Sequence, residues 1–412
     1  MRFAVRFLGC KVSLADAALI RDALIDAGHV EAPQEAAEVQ VVNTCALTQE
    51  AERKSRRQAN RAARAGRTFV TGCAANLNAG QFGGAEAVQG SADRAAAEIV
   101  ERLGGGRQHA CADDRPQPAF GRTRAFLKVQ NGCDASCAFC IIPTTRGSAE
   151  SRPVGRILDD ARRRLADGQP EVVLTGINIG VYRDPAGGAD LADLVRALGR
   201  LDGLVRLRIS SIEPGSVTTR LLEALADSAV AGPHLHMPLQ SGDSEVLARM
   251  RRGYSACDYR AACARARAAL PGLNITTDAI VGFPGEGDRA FANTMATVEE
   301  AGISKVHVFP YSSRPGTAAA QLPGAVQDGL RVERAARLRA LSDRLSAAHR
   351  RGRIGSDDEV LVERVHDDGT CSGLGADYTR FVIRRPAVRP GTLLAVHATA
   401  VAGDHVVGEA RP

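Results

Sequence analysis

Apolar positions along the chain fall into three successive patterns. At the N-terminus FAVRFLGC reads as a strand, the amphipathic stretch from Leu14 to Ala27 as a helix, and VQVVNTC as a second, buried strand. A charged helix from Gln49 to Ala65 and a third strand, TFVTGC, follow. Strands alternating with helices predict a parallel, doubly wound α/β sheet. All three strands run into a cysteine: Cys10, Cys45 and Cys73. Strand C-termini of a parallel sheet share one edge, where open α/β sheets bind ligands, so three thiolates can converge there.

The second pattern is a set of six strand-like runs about 30 to 45 residues apart: AFLKVQ, EVVLTG, LVRLRIS, HLHMPLQ, ITTDAIVG and KVHVFPYS. Helical stretches separate them, which predicts a barrel or partial barrel of (β/α) type. Polar or glycine residues (Gly176, Ser211, Glu213, Gln240, Ser241, Gly282 and Tyr311) follow the runs, at the strand ends where such folds place chemistry. The third pattern has period two, in Phe381 and Ile383 and again in Leu394, Val396 and Ala398. With Asp-Asp-Gly and Arg-Pro-Gly turns it predicts a small antiparallel β-barrel. A Gly/Pro-rich break from Gly104 to about Arg124 and another after Tyr311, which leads into a long helix ending near Arg353, divide the chain. The expected units are 1–105, 120–350 and 355–412.

The 412 residues, 44% hydrophobic and 24% charged, can bury more than one core. With no Trp and 4% aromatics, bases stacked on Trp platforms are excluded as a way of holding RNA. A net charge of +6 favours an acidic partner, although Arg excess also follows from a GC-rich genome. Nothing in the sequence reads as a signal peptide or membrane span, so no membrane partner and a cytoplasmic setting are expected. Thiols stay reduced there, and ten cysteines then point to metal or catalysis before disulfides.

The strongest chemical signal is Cys133-Asp-Ala-Ser-Cys137-Ala-Phe-Cys140, directly after the run AFLKVQ. A tetrathiolate zinc site wants four ligands, commonly as two separated pairs. A cubane cluster held by three thiolates leaves one iron open to a small molecule. A zinc-binding or redox Cys-x-x-Cys loop is the other reading of these residues.

A C-x3-C-x2-C loop after the first strand of a six-fold (β/α) unit, with Phe139 before the last cysteine, resembles the radical SAM superfamily. That resemblance implies a 4Fe-4S cluster on Cys133, Cys137 and Cys140 that chelates S-adenosyl-L-methionine and, once reduced, cleaves it to a 5′-deoxyadenosyl radical. Iron–sulfur potentials span about −700 to +450 mV, and this cleavage needs the low end. By the same resemblance the segment Asp278-Ala-Ile280-Val-Gly282 contacts adenine, and Thr175-Gly176 meets the methionine amino group, although the acidic residue usual there is absent. Ser211, Glu213 and Gln240 line the same mouth.

The order LGCKVSLAD, VVNTCALT, VTGCAAN, NGCDASCAFCIIPTTRG, LTGINIG, RISSIEP, HMPLQSGDSEVLARMRR, DAIVGFPGE and VHVFPYSSRPGT resembles the methylthiotransferase family over essentially the whole chain. Ser13 departs from it, standing where the family usually has Asn. The resemblance implies a second 4Fe-4S cluster on Cys10, Cys45 and Cys73, which by themselves read as buried thiols at strand ends. It makes the C-terminal barrel TRAM-like. The implied partners are tRNA, a low-potential electron donor and a sulfur donor.

The expected reaction adds a methylthio group to C2 of a modified adenosine beside the anticodon. The segments GCKVS and HVFPYSSRPGT best resemble relatives acting on N6-threonylcarbamoyladenosine. Isopentenyladenosine in tRNA and an aspartate of a ribosomal protein are the rival substrates, and a non-catalytic iron–sulfur or zinc RNA-binding protein the rival class.

Weaker signals complete the reading. From Glu50 to Arg67, seven basic residues face two acids, a candidate phosphate contact. Residues 355–412 hold six Arg against nine Asp and Glu, a net of −3, so an RNA role there rests on Arg380, Arg384, Arg385 and Arg389. His234 and His236 have the spacing of a metal pair on one strand face, but no third ligand is near in sequence. Cys111, Cys257, Cys263 and Cys371 match no motif.

Overall fold

The computed structural model describes residues 1–104, 118–384 and 388–411, so Cys111 and Arg385 lie outside the described residues. The N-terminal unit comprises β1 (Arg2–Phe7), α1 (Lys11–Asp26), β2 (Val30–Glu31), β3 (Val39–Thr44), α2 (Gln49–Ala65), β4 (Arg67–Gly72), α3 (Cys73–Leu77), β5 (Glu86–Ala87) and α4 (Ala92–Leu103). Its strands form one parallel sheet in the order β2-β1-β3-β4-β5. Val39, Val41 and Phe69 pack on one face with Ile20, Leu24 and Ile99 of α1 and α4. Val42 and Val70 pack on the other with Ala59 and Ala62 of α2. Successive strand residues point to opposite faces, so helices on both sides leave every residue of β3 buried, Gln40, Asn43 and Thr44 included. Thr48 starts α2, its Oγ1 accepting from the Ala51 amide at 3.1 Å.

The central unit contains β6 (Arg124–Lys128), β7 (Gln130–Asn131), α5 (Ile142–Arg146), β8 (Glu150–Ser151), α6 (Val154–Ala166), β9 (Glu171–Thr175) and α7 (Leu191–Leu198). It continues through β10 (Arg206–Ile209), α8 (Thr219–Ala226), β11 (His234–His236), α9 (Ser244–Arg249), α10 (Ala256–Ala269), β12 (Asn274–Val281), α11 (Asp288–Glu300), β13 (Lys305–Pro310) and α12 (Asp328–Arg351). The parallel sheets β10-β9-β6 and β11-β12-β13 are joined by the bridges Leu207–Ala231 and Ser211–His236. The six strands therefore follow one another as an open (β/α)6 barrel. On β12 the residues Ile275, Thr277, Ala279 and Val281 are fully buried towards the helices, while Asn274, Thr276, Asp278 and Ile280 alternate with them on the inner face.

The remaining strands β14 (Asp357–Val365), β15 (Thr370–Leu374), β16 (Arg380–Arg384), β17 (Leu393–Ala402) and β18 (His405–Ala410) close into a barrel around Phe381, Ile383, Val396 and Val406. The sequence predicts an antiparallel barrel, and one pair departs from that: β16 and β18 run parallel. A closed ring with an odd number of strands cannot alternate direction throughout. This barrel docks on the central unit through backbone carbonyls. Arg208 donates to Ala376 O at 2.7 Å and Gly375 O at 2.8 Å, and Arg206 to Glu359 O at 2.7 Å. Cys263 and Cys371 are buried core residues and Cys257 is exposed. No helix among the described residues is long and apolar enough to cross a membrane.

Candidate active site

Cys10, Cys45 and Cys73 come together at the carboxyl edge of the N-terminal sheet. None lies inside a strand: Cys10 precedes α1, Cys45 follows β3 and Cys73 opens α3. Close approach is possible because residue 9 is glycine, at φ +116°, where an added Cβ would stand 2.9 Å from the Cys45 Sγ. Burial pushes the Cys45 thiol up to about 11, and the neighbouring Cys73 and Cys10 add to the rise. Its Sγ still accepts from the Leu47 amide at 3.5 Å.

Cys133, Cys137 and Cys140 sit in the loop between β7 and α5, all half-buried. Gly132 opens it at φ +66°, pressed so closely on Ser148 O that a Cβ would be 1.8 Å away. Burial, reinforced by Cys137 and Cys133, pushes the Cys140 thiol up to about 11. Burial thus opposes thiolate formation at Cys45 and Cys140 until a cation supplies the compensating charge. Two sets of three clustered thiols, with N–H donors on Cys45, Cys73, Cys133 and Cys137, fit iron–sulfur clusters, whose irons displace the thiol protons.

Each group carries an arginine that sequence reasoning missed. Arg146 Nε donates to Cys73 Sγ at 3.1 Å, its Nη1 to Asn131 Oδ1 at 2.8 Å and its Nη2 to Asp16 at 2.9 Å. Asp16 also receives Lys128 Nζ at 2.7 Å, and the three side chains are at most 5% exposed. Burial opposes the charge of Asp16, but Lys128 and Arg146 outweigh it and hold the carboxyl below its usual range. Because α1 carries Asp16, β6 carries Lys128 and α5 carries Arg146, this trio pins one cysteine group to the other. At the second group Arg252 donates to Cys137 Sγ at 3.1 Å and to Tyr254 Oη, and pairs with Glu213. The sequence signals were present: Arg146 follows the cysteine run within TTRG, and Arg252 belongs to MRRG.

A cavity of about 160 Å³ opens beside Cys140. Phe139 and Cys140 line it from the cysteine loop, Gln240 and Ile280 from the barrel strand ends, and Leu47 and Thr48 from the segment after Cys45. Asp278, Tyr311 and the exposed ring of Phe309 also line it. Of the expected SAM contacts, Phe139, Gln240 and Ile280 are therefore brought together. Gln240 holds a positive φ of 64°, pinned by Gln240 N to Asp278 O and Ile280 N to Gln240 O. The others lie outside this lining. Thr175 is buried with its hydroxyl on Val173 O, and Gly176 abuts Gln130. Ser211 bridges to His236, Glu213 holds Arg252, and Gly282 donates to Glu286 at 2.9 Å under the Arg331 stem.

Among the histidines, ligand atoms of His236, Asp278 and His307 lie within 4.8 Å of one another. His236 thus acquires neighbours that its sequence environment lacks, whereas His234 stays apart, stacked on Tyr378 at 4.7 Å. The basic residues from Arg53 to Arg67 are all exposed, on and just after α2.

Residues 127–298 match the radical SAM superfamily, and residues 2–89 the Uncharacterized protein family UPF0004. The chain is 37% identical over 363 residues to the Bacillus subtilis threonylcarbamoyladenosine tRNA methylthiotransferase MtaB, covering 83% of this chain and 80% of that one. It is 33% identical over 443 residues to a Streptomyces coelicolor tRNA-2-methylthio-N(6)-dimethylallyladenosine synthase, covering 99% and 87%. The fold is similar to a radical S-adenosylmethionine methyltransferase, TsrM, from Kitasatospora setae, with a TM-score of 0.56 at 14% identity over 75% of this chain and 72% of that one.

Proposed function

The chain belongs to the radical SAM methylthiotransferase family, and on that premise we propose that it adds a methylthio group to C2 of N6-threonylcarbamoyladenosine beside the tRNA anticodon. Its substrate is tRNA, and its cofactors are two 4Fe-4S clusters and S-adenosyl-L-methionine. Membership removes the non-catalytic zinc or iron–sulfur reading. The observation that carries the proposal is the cavity lined by Cys140 of one group and by Leu47 and Thr48, just after Cys45 of the other, since one adenine carbon must meet a hydrogen-abstracting centre and a sulfur donor in turn. The choice of threonylcarbamoyladenosine is supported by the segments GCKVS and HVFPYSSRPGT and by the relatives named for that nucleoside.

In this proposal Cys133, Cys137 and Cys140 hold the SAM-binding cluster, and Cys10, Cys45 and Cys73 hold the second. When bound, these groups supply the radical, the sulfur and the methyl group. The protein's own residues position and exclude. Phe139, Ile280 and Phe309 form an apolar wall that keeps water from the reacting carbon, and Gln240 offers an amide to a purine edge. Glu213 and Tyr254 orient Arg252 on Cys137, while Asp16 and Asn131 orient Arg146 on Cys73. Thr175, Gly176, Ser211 and Gly282 shape the strand ends behind that wall.

The three units divide these tasks, with the second cluster on 1–105, the radical core on 120–350 and the TRAM-like barrel on 355–412. The sites imply a low-potential electron donor and a sulfur donor as further partners. The setting proposed for this reaction is the cytoplasm.

Nucleoside mass spectrometry of tRNA from a deletion strain tests the substrate. Loss of methylthiolated threonylcarbamoyladenosine, with methylthiolated isopentenyladenosine retained, is the expected result. Retention of the former and loss of the latter moves the enzyme to the rival nucleoside. Full retention of both moves it to a protein substrate.

A further inference from the structure

A second cavity, of about 180 Å³, lies along the same barrel wall on the side away from the cysteine loop. Thr276 on β12 and Lys305 and His307 on β13 line it, while Asp278, Ile280 and Phe309 farther along these strands line the cysteine-side cavity. Residues two apart share a strand face and stand about 7 Å apart, so the two cavities succeed one another along one surface. His236 belongs to the second and Asp278 to the first, and they touch at 3.1 Å where the cavities meet.

The charge of this second space is uneven. Lys11 of the N-terminal unit, Lys305 of β13 and Arg350 of α12 all line it, and none makes an ion pair among the described residues. The Nε of Arg350 is buried without a hydrogen-bond partner. The acid in the lining, Asp404, is taken by Arg380 at 3.0 Å and by His405. Three cations without counter-charges around one cavity call for an anion. They also oppose a dication at His236, Asp278 and His307, whose donor set alone would suit a transition metal.

We propose that this cavity receives the carboxylate-bearing N6 substituent of the substrate adenosine, with Lys305 and Arg350 binding the carboxylate. The inference rests on the substrate reading above and goes beyond it by naming the residues that select. With the base on the cysteine-side wall against Phe309, the substituent runs down β13 past His307 to Lys305. A dimethylallyl group in the same place supplies no anion and leaves the three charges unanswered, which is discrimination by unpaired polar groups.

A carboxylate and an anticodon-loop phosphate share this chemistry, and binding separates them. The full-length protein is titrated with two anticodon stem-loops that differ only in carrying threonylcarbamoyladenosine or adenosine. A charge-assisted hydrogen bond predicts that the wild type prefers the modified loop about tenfold. Lys305→Gln and Arg350→Gln each bring the ratio towards one, with affinity for the unmodified loop and iron content retained. Equal weakening towards both loops assigns the cations to phosphate and overturns the proposal, as does an unchanged ratio in both variants. Failure of the wild type to methylthiolate a threonylcarbamoyladenosine tRNA defeats the substrate reading instead, and is scored separately by mass spectrometry.

Discussion

Asp16→Asn removes the one negative charge of a buried trio while keeping its size. Lys128 Nζ, 1% exposed and 2.7 Å from Asp16, has no other acidic partner among the described residues and becomes an uncompensated buried cation. Arg146 is cushioned by Asn131 Oδ1 at 2.8 Å and Cys73 Sγ at 3.1 Å, so the loss falls mainly on Lys128. Breaking one partner of a buried ion pair costs about 3–5 kcal/mol. Denaturant midpoints of the wild type and variant, compared anaerobically at equal cluster loading, read this loss. Adding Lys128→Met to Asp16→Asn removes the stranded charge, and the double variant recovers at least about 2 kcal/mol. A single variant within about 0.5 kcal/mol of the wild type, typical of a surface pair, would refute the reasoning. So would a double variant no more stable than the single one. The pH dependence follows the same charge. With the folded-state pKa of Asp16 lowered, its contribution is complete above the unfolded value near 3.9. It disappears as pH falls from there through the folded value, so Asp16→Asn flattens the acid limb of the stability curve.

Cys133→Ala is expected to abolish reductive cleavage of SAM, whereas Cys45→Ala keeps cleavage and stops thiolation, as read by 5′-deoxyadenosine release and nucleoside mass spectrometry. Full thiolation by Cys45→Ala removes the second group from the chemistry. Burial, with Arg208, Lys11 and His236 nearby, drives the His234 pKa well below its usual value against the weaker pull of Asp377. The unfolded chain therefore takes up this proton first, and stability falls as pH drops below about 6.5; His234→Gln reduces that slope, and an unchanged slope contradicts the assignment. Arg56, Arg57 and Arg61 are exposed on α2 and make no ion pair among the described residues. Their joint replacement by Gln is expected to lower the salt slope of tRNA affinity by about two to three, and an unchanged slope places the tRNA elsewhere.

The six barrel strands were legible as short apolar runs with helical stretches between them, several of them alternating with polar residues, as Arg206 and Arg208, His234 and His236, and Thr276 and Asp278 do. The convergence of Cys10, Cys45 and Cys73 was legible for a topological reason, since parallel strands bring their ends to one edge. Short elements escaped: β2 and β5 are two residues each, too brief to form a pattern. Helix α4 was missed although Ser91 caps it and Ala95, Ala96, Ile99 and Leu103 mark its buried side. The parallel closure of the C-terminal barrel follows from strand count and pairing order, which period-two alternation does not encode. Arg146 and Arg252 were missed because their partners are remote in sequence: 130 residues separate Arg146 from Asp16, and 115 separate Arg252 from Cys137. His236 acquires Asp278 and His307 in the same way, across barrel strands.

On this reading two separate thiol triads each hold a cubane cluster, and one cavity is lined by Cys140 of the first and by the segment after Cys45 of the second. Iron and acid-labile sulfide analysis of the anaerobically reconstituted protein tests it most directly, taken together with the triple variant Cys10→Ala/Cys45→Ala/Cys73→Ala. About eight irons per wild-type chain and about four in the variant, with SAM cleavage retained, are predicted. Four irons in both proteins, or one zinc and no iron, would contradict the account.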